Sequence, residues 1–163
     1  MGTGKTLVGK NLSKDLNIPF IDLDEHIEDR HNKKIFELFN EKGEVYFRKL
    51  EIKHLEELLR SNENMVLSLG GGTPCYGENM NIIKQNLKFT SIYLKGSVSL
   101  LTDRLFMEKN TRPIISHIKT KHILKQFIAK HLFDRLPFYQ LADKIIEIDD
   151  KNVSIIIEEI KKT

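Results

Sequence analysis

Gly2-Thr3-Gly4-Lys5-Thr6 opens this chain of 163 residues and decides how the rest of it is read. The five residues match the second half of G-x-x-x-x-G-K-[ST], the loop that cradles nucleotide phosphates between a buried strand and a helix. Gly4 is the second glycine of that pattern, so the first would lie two places before Met1. In such a loop backbone N–H groups turn toward the phosphates and the following helix adds its positive end. Lys5 brings a mobile charge, and the Thr6 hydroxyl is placed to ligate Mg²⁺. A plain surface turn opening a helix would use the same residue types. Leu7, Val8, Leu12 and Leu16 recur at helical spacing, so a helix begins where a phosphate loop requires one.

Downstream, short apolar runs alternate with longer helical ones. Pro19-Phe20-Ile21-Asp22-Leu23-Asp24, Met65-Val66-Leu67-Ser68-Leu69, Thr90-Ser91-Ile92-Tyr93-Leu94 and Lys144-Ile145-Ile146-Glu147-Ile148 read as strands. Helical patterns cover about 5–16, 33–60 with a break near Gly43, 79–88, 97–106, 120–135 and 152–162. Such alternation predicts an α/β fold, a parallel sheet covered by helices on both faces. No repeat or low-complexity linker interrupts it, so residues 1–163 read as one domain.

Composition narrows the chemistry. A net charge of +3 with interspersed signs suits an enzyme of small anions better than a nucleic-acid binder. The single Cys75 excludes an internal disulfide, and the six histidines lack metal-ligand spacing. A reducing, cytoplasmic setting is the expectation. No apolar run approaches the roughly 20 residues that span a bilayer, and no signal-peptide pattern is present.

Ligands of open α/β sheets bind beyond the carboxyl ends of the strands. One predicted strand ends in Asp22-x-Asp24 and another in Gly70-Gly71-Gly72. The two aspartates serve equally well as caps of a helix beginning near Glu25. The three glycines suit either a flexible exit or the close approach of backbone to a ligand. Arg48 and Glu51, three apart on a helix, have the spacing of a surface pair worth about 0.2–0.5 kcal/mol. Lys109-Asn110-Thr111-Arg112-Pro113 breaks the helical pattern and reads as a loop that could cover phosphates, while Arg135-Leu136-Pro137-Phe138-Tyr139 closes a helix at a proline. Taken singly, each arginine is better explained by solvated surface than by a ligand.

In their joint order these residues resemble the shikimate kinases, and the resemblance covers nearly the whole chain. It rests on the end of the phosphate loop, Asp22-x-Asp24, Phe47-Arg48-x-x-Glu51, Ser68-x-Gly70-Gly71-Gly72, Arg112-Pro113 and Arg135-x-Pro137-x-Tyr139. The family has a three-layer P-loop kinase fold with a central parallel sheet of order 2-3-1-4-5. It transfers the γ-phosphoryl group of ATP to the 3-hydroxyl of shikimate, with Mg²⁺, in chorismate and aromatic amino acid synthesis. The resemblance implies that Gly2, Thr3, Gly4, Lys5, Thr6 and Leu7 contact the nucleotide, joined by Arg112 from a lid at about 107–120. It implies that Thr6 and Asp22 serve the metal and that Asp24 holds the reacting hydroxyl. Gly70, Gly71 and Gly72 would contact shikimate, and Arg48 and Arg135 its carboxylate. Residues 25–60 would form the helical substrate-binding region. Lys5, Asp24 and Arg112 are the expected catalytic residues, in a monomer with neither nucleic-acid nor membrane partner.

Two departures accompany the resemblance. The adenine-contacting segment is poorly marked around Asp149-Asp150-Lys151-Asn152, which leaves Arg104 as a candidate purine neighbour. The family's first strand has no counterpart, which leads to the expectation of an internal start at Met1. The natural chain would then begin roughly ten residues earlier, enough for a strand and half a loop. Gluconate kinases of the same fold usually carry a Trp segment that this Trp-free chain lacks. A non-catalytic nucleotide-fold remnant is the reading from another class, and intact Asp24, Arg112 and Arg135 argue against it.

Overall fold

A computed structural model describes residues 1–61, 63–109 and 112–162. Asn110 and Thr111 of the expected lid lie outside the described residues. The chain divides into two compact units, one of Thr6–Ser91 and one of Met1–Lys5 with the chain from Ile92 onward.

In the unit of Thr6–Ser91, helix α1 (Lys5–Leu16) turns Val8 and Leu12 inward. It ends where Asn17 takes φ 52°, a left-handed conformation that Asn tolerates, and Ile18 N–H donates back to the Ser13 carbonyl at 3.0 Å. Strand β1 (Phe20–Asp22) runs parallel to β2 (Val66–Ser68), with Phe20 opposite Val66 and Asp22 opposite Ser68. This register brings Asp22-x-Asp24 and Ser68-x-Gly70 to the same carboxyl edge of the pair. Helix α2 (Leu23–His31) starts at once, because the Asp22 carboxylate accepts from the Asp24 N–H at 3.1 Å. Helix α3 spans Ile35–Arg60 and bends at Gly43, whose φ of 80° and ψ of 170° are non-helical. A 3-10 turn (Thr73–Cys75) and helix α4 (Asn79–Gln85) follow β2. Leu23, Ile27, Leu55, Phe47, Met80 and Ile83 are among the buried side chains here.

In the other unit, β3 (Ile92–Lys95) pairs in parallel with β4 (Lys144–Glu147), Ile92 opposite Lys144. Helix α5 (Val98–Met107) is capped by Ser97, which accepts from Leu100 N–H at 3.1 Å. A short α6 (Pro113–Ser116) precedes α7 (Lys121–Tyr139), and α8 (Val153–Lys161) is capped by Asn152. Leu101, Leu105, Ile115, Ile118, Leu124 and Ile128 form the core, with Met1 packed on it.

Among the described residues the strands form two parallel pairs, β1-β2 and β3-β4, which are neighbours 2-3 and 4-5 of the expected order. Two sequence expectations need correction. Helix α7 does not close at Pro137 but runs through it to Tyr139. Proline removes one amide donor, and the last turn holds because Gln140 N–H still donates to the Leu136 carbonyl at 2.9 Å. Nor is the pair of Arg48 and Glu51 a surface pair, since Glu51 is only 1% exposed. Phe47, Leu50, Glu51, His54, Leu55 and Leu58 share the buried face of α3, so helical register places the carboxylate inside.

Candidate active site

The carboxyl edge of β1 and β2 gathers five of the six expected substrate residues, Asp24, Arg48, Gly70, Gly71 and Gly72. A Cβ built on Gly70 would stand 3.1 Å from Asp24 Oδ1, and one on Gly72 would stand 3.0 Å from both Nη1 and Nη2 of Arg48. The glycines therefore let a carboxylate and a guanidinium approach one loop from its two ends. Gly71 continues that loop, and its carbonyl oxygen is 3.8 Å from the Cys75 thiol sulfur. Asp22 is committed through Oδ1 to capping α2.

Arg48 is held from several sides. Its Nη1 donates to Glu51 Oε2 at 2.8 Å, and its Nε and Nη2 both donate to Glu44 Oε1 at 3.3 Å. The Tyr76 ring centroid lies 5.5 Å from its guanidinium carbon, within cation–π range. Burial works against the charge on Arg48, yet the bonds to Glu51 and Glu44 outweigh it and raise its pKa. Glu51 receives a second donor, the Thr73 hydroxyl, at 2.5 Å from Oε1. Thr73 and Asn79 are fully buried, and Asn79 Nδ2 donates to the Thr73 carbonyl at 2.8 Å. Sequence reasoning missed this inner layer. Glu51 was detectable from its place on the apolar stripe of α3, whereas nothing in the order of residues marked Thr73, Tyr76 or Asn79.

In the other unit, Gly2 and Gly4 take φ of 74° and 83°, conformations glycine adopts without strain. Gly2 lies on Leu105, and a Cβ on Gly4 would stand 4.0 Å from Nη1 of Arg104. Lys5 begins α1 directly after this loop, with Thr3 buried and Thr6 and Leu7 exposed. Arg135 lines a shallow recess with Met1, His131 and Tyr139. Arg112 donates from Nη2 and Nε to Glu108 Oε2, at 2.6 and 3.0 Å. The Met1 amino group is pushed down to about 5 by burial, then by Lys5, Arg135 and Arg112.

For a metal, the donors at hand are the Thr6 hydroxyl and the Asp22 oxygen not used in the cap, hard oxygens of the kind Mg²⁺ takes. No three His, Cys, Asp or Glu side chains converge on a metal position among the described residues. Mg²⁺ in phosphoryl-transfer sites needs only one or two protein ligands beside phosphate and water, so this donor set fits it.

The parallel α/β fold and the glycine loop running into a helix at Lys5 define a P-loop kinase. The family model for shikimate kinase matches residues 1–163, and the chain belongs to the shikimate kinase family. A shikimate kinase of Flavobacterium psychrophilum is 48% identical over 162 residues, covering 99% of this chain and 93% of the relative. The crystal structure of shikimate kinase from Bacteroides thetaiotaomicron is similar at TM-score 0.90 and 37% identity, covering 99% of this chain and 92% of the other. A shikimate kinase from Acinetobacter baumannii, solved in complex with shikimate, is similar at TM-score 0.84 and 31% identity over 99% of this chain and 87% of that one.

Proposed function

We propose that this chain transfers the γ-phosphoryl group of ATP to the 3-hydroxyl of shikimate, with its residues in the following roles. Lys5 and Arg112 neutralise the phosphates, and the loop N–H groups from Gly2 to Leu7 orient them. Asp24 takes the proton of the attacking hydroxyl. Arg48 holds the shikimate carboxylate by two parallel N–H bonds, and Gly70, Gly71 and Gly72 admit the ring close to the backbone. Arg135 is assigned to the same carboxylate on the resemblance alone. Mg²⁺, held by Thr6 and Asp22, supplies charge neutralisation at the phosphate oxygens when bound. We place the protein in the cytoplasm as a monomer. A single cysteine, Cys75, suits a reducing compartment, and no helix among the described residues is long and apolar enough to cross a membrane.

One observation carries the reading: Asp24 and Arg48 flank the same glycine loop, a proton acceptor at one end and a carboxylate receptor at the other. The test is shikimate-dependent ADP release by the wild-type chain and by Asp24→Asn. Turnover in the variant should fall roughly 10²–10⁴-fold, with little change in KM for ATP. ADP release indifferent to shikimate, or near-normal turnover of Asp24→Asn, overturns the assignment.

A further inference from the structure

The guanidinium of Arg48 has two edges, and the structure treats them differently. Nη1 meets buried Glu51, while among the described residues the Nε and Nη2 edge hydrogen-bonds only to Glu44, whose side chain is 62% exposed. A carboxylate normally prefers to take both parallel donors of an arginine. Glu51 does not: its Oε1 accepts from the Thr73 hydroxyl at 2.5 Å, and its Oε2 accepts from Arg48 Nη1 at 2.8 Å. Thr73 is in turn fixed by its surroundings. Its N–H donates to the Gly70 carbonyl at 3.1 Å, and its carbonyl accepts from buried Asn79 at 2.8 Å.

We propose that Thr73 is a positioning residue that keeps the Glu51–Arg48 pair single-pronged, so that the Nε and Nη2 edge of Arg48 stays presented to the carboxylate of the substrate. The inference deepens the proposed function and rests on its assignment of Arg48. Without the hydroxyl, Glu51 Oε1 loses its partner in a dry place, where an unsatisfied charged acceptor is costly. Its nearest remedy is to capture a second donor of Arg48, which turns the Nε and Nη2 edge away from the substrate. The glycine loop and the arginine are thus set by one residue: the backbone of Thr73 closes the turn onto Gly70 and its side chain aims Arg48 through Glu51.

The experiment compares Thr73→Val, which keeps the shape and removes the donor, with Thr73→Ser, which keeps the donor. Thr73→Cys, a weak donor in the same space, stands in if the valine variant does not fold. KM for shikimate should rise about tenfold in the valine variant, rise less in the cysteine variant and stay near wild type in the serine variant. KM for ATP should not move. A merely structural role would lower the active fraction and leave KM for shikimate alone. In an Arg48→Ala background Thr73→Val should add nothing. A ligand-free readout separates this inference from the function it rests on: the Arg48 Nε–H resonance of ¹⁵N-labelled protein should shift in the valine or cysteine variant and not in the serine one. An unshifted resonance, or equal changes in both KM values, overturns the role of Thr73 whatever the substrate proves to be. A wild-type chain that ignores shikimate, with the resonance shifting as expected, counts instead against the substrate assignment.

Discussion

Gly72 shows how a single residue divides between backbone and neighbour effects. Its φ of −89° and ψ of −22° are open to any residue, so its need for a missing side chain comes from Arg48 alone. Alanine there would press on Nη1 and Nη2 at 3.0 Å, the far end of a flexible side chain that can move aside. Gly72→Ala should therefore keep its melting temperature within about 2 °C of wild type while KM for shikimate rises several-fold, by about 1 kcal/mol of lost arginine alignment. A large drop in melting temperature with unchanged KM would contradict this account. Glu44 offers the opposite sign. It bonds the substrate-facing edge of Arg48 at 3.3 Å from an exposed position, so Glu44→Gln should lower KM for shikimate about two- to threefold, as expected for a surface pair worth at most about 1 kcal/mol. At this scale the sequence identified the charged and glycine positions by type and order. It hid Thr73 and Asn79, because a buried hydroxyl or amide gains its meaning only from the partner that the fold brings to it.

Elements were legible wherever helical spacing was long enough to repeat. Helix α3 was expected at 33–60 with a break at Gly43 and is found at Ile35–Arg60 with Gly43 non-helical. The four strands are only three or four residues each, too short for periodicity to fix their ends, and their limits shifted by one or two places. Contacts between elements were not legible. Gly9 lies within α1, where propensity favours alanine by about 1 kcal/mol. A Cβ there would stand 2.5 Å from Cε2 of Phe20 on β1, an overlap that has to be relieved by moving strand or helix. Overpacking costs about 1–3 kcal/mol, so Gly9→Ala should destabilise in spite of propensity, by several degrees of melting temperature. The histidines joining α2 to α3 were hidden in the same way. His31 and His54 place their Nε2 atoms 3.1 Å apart, and His26 lies edge-on to His54. One proton serves the His31–His54 pair, because two would face each other. Glu57 Oε2 is 3.3 Å from His54 Nδ1 without the alignment of a hydrogen bond. Burial lowers the pKa of His26, helped by Arg30, and lowers that of His54 against Glu57, helped by His26, His31 and Lys53. Depressed histidines contribute stability that is complete above about pH 6.5 and lost as pH falls through their folded values. The melting temperature should thus fall between pH 7 and pH 5, and His54→Gln should flatten that fall. Every other titrating group adds the same slope to both proteins, so the difference between them isolates the histidine. Parallel curves for variant and wild type would refute the histidine contribution.

For the whole molecule, the proposed site residues are spread over both compact units. The loop of Gly2 to Lys5 belongs with Arg104, Arg112 and Arg135 in one, and Asp24, Arg48 and the glycines of 70–72 belong in the other. A ligand that binds only the folded chain stabilises it by mass action, about 2.7 kcal/mol at a hundred times its dissociation constant. For a chain of this length that is a rise of roughly 5–10 °C in melting temperature. If Arg48 holds shikimate and Lys5 holds the phosphates of ATP, the two shifts have separate origins. Arg48→Ala should abolish the shift by shikimate and keep most of the shift by ATP, and Lys5→Ala should do the reverse. Arg48→Ala also leaves buried Glu51 without its ion partner, so each variant's shifts are read from its own unliganded melting temperature. Loss of both shifts in either variant, with the unliganded melting temperature kept, would mean that one residue supports both ligands, and the separate roles of Arg48 and Lys5 would then be wrong. Retention of the shikimate shift in Arg48→Ala would move the carboxylate receptor to Arg135, the remaining arginine to which the family resemblance assigns that role.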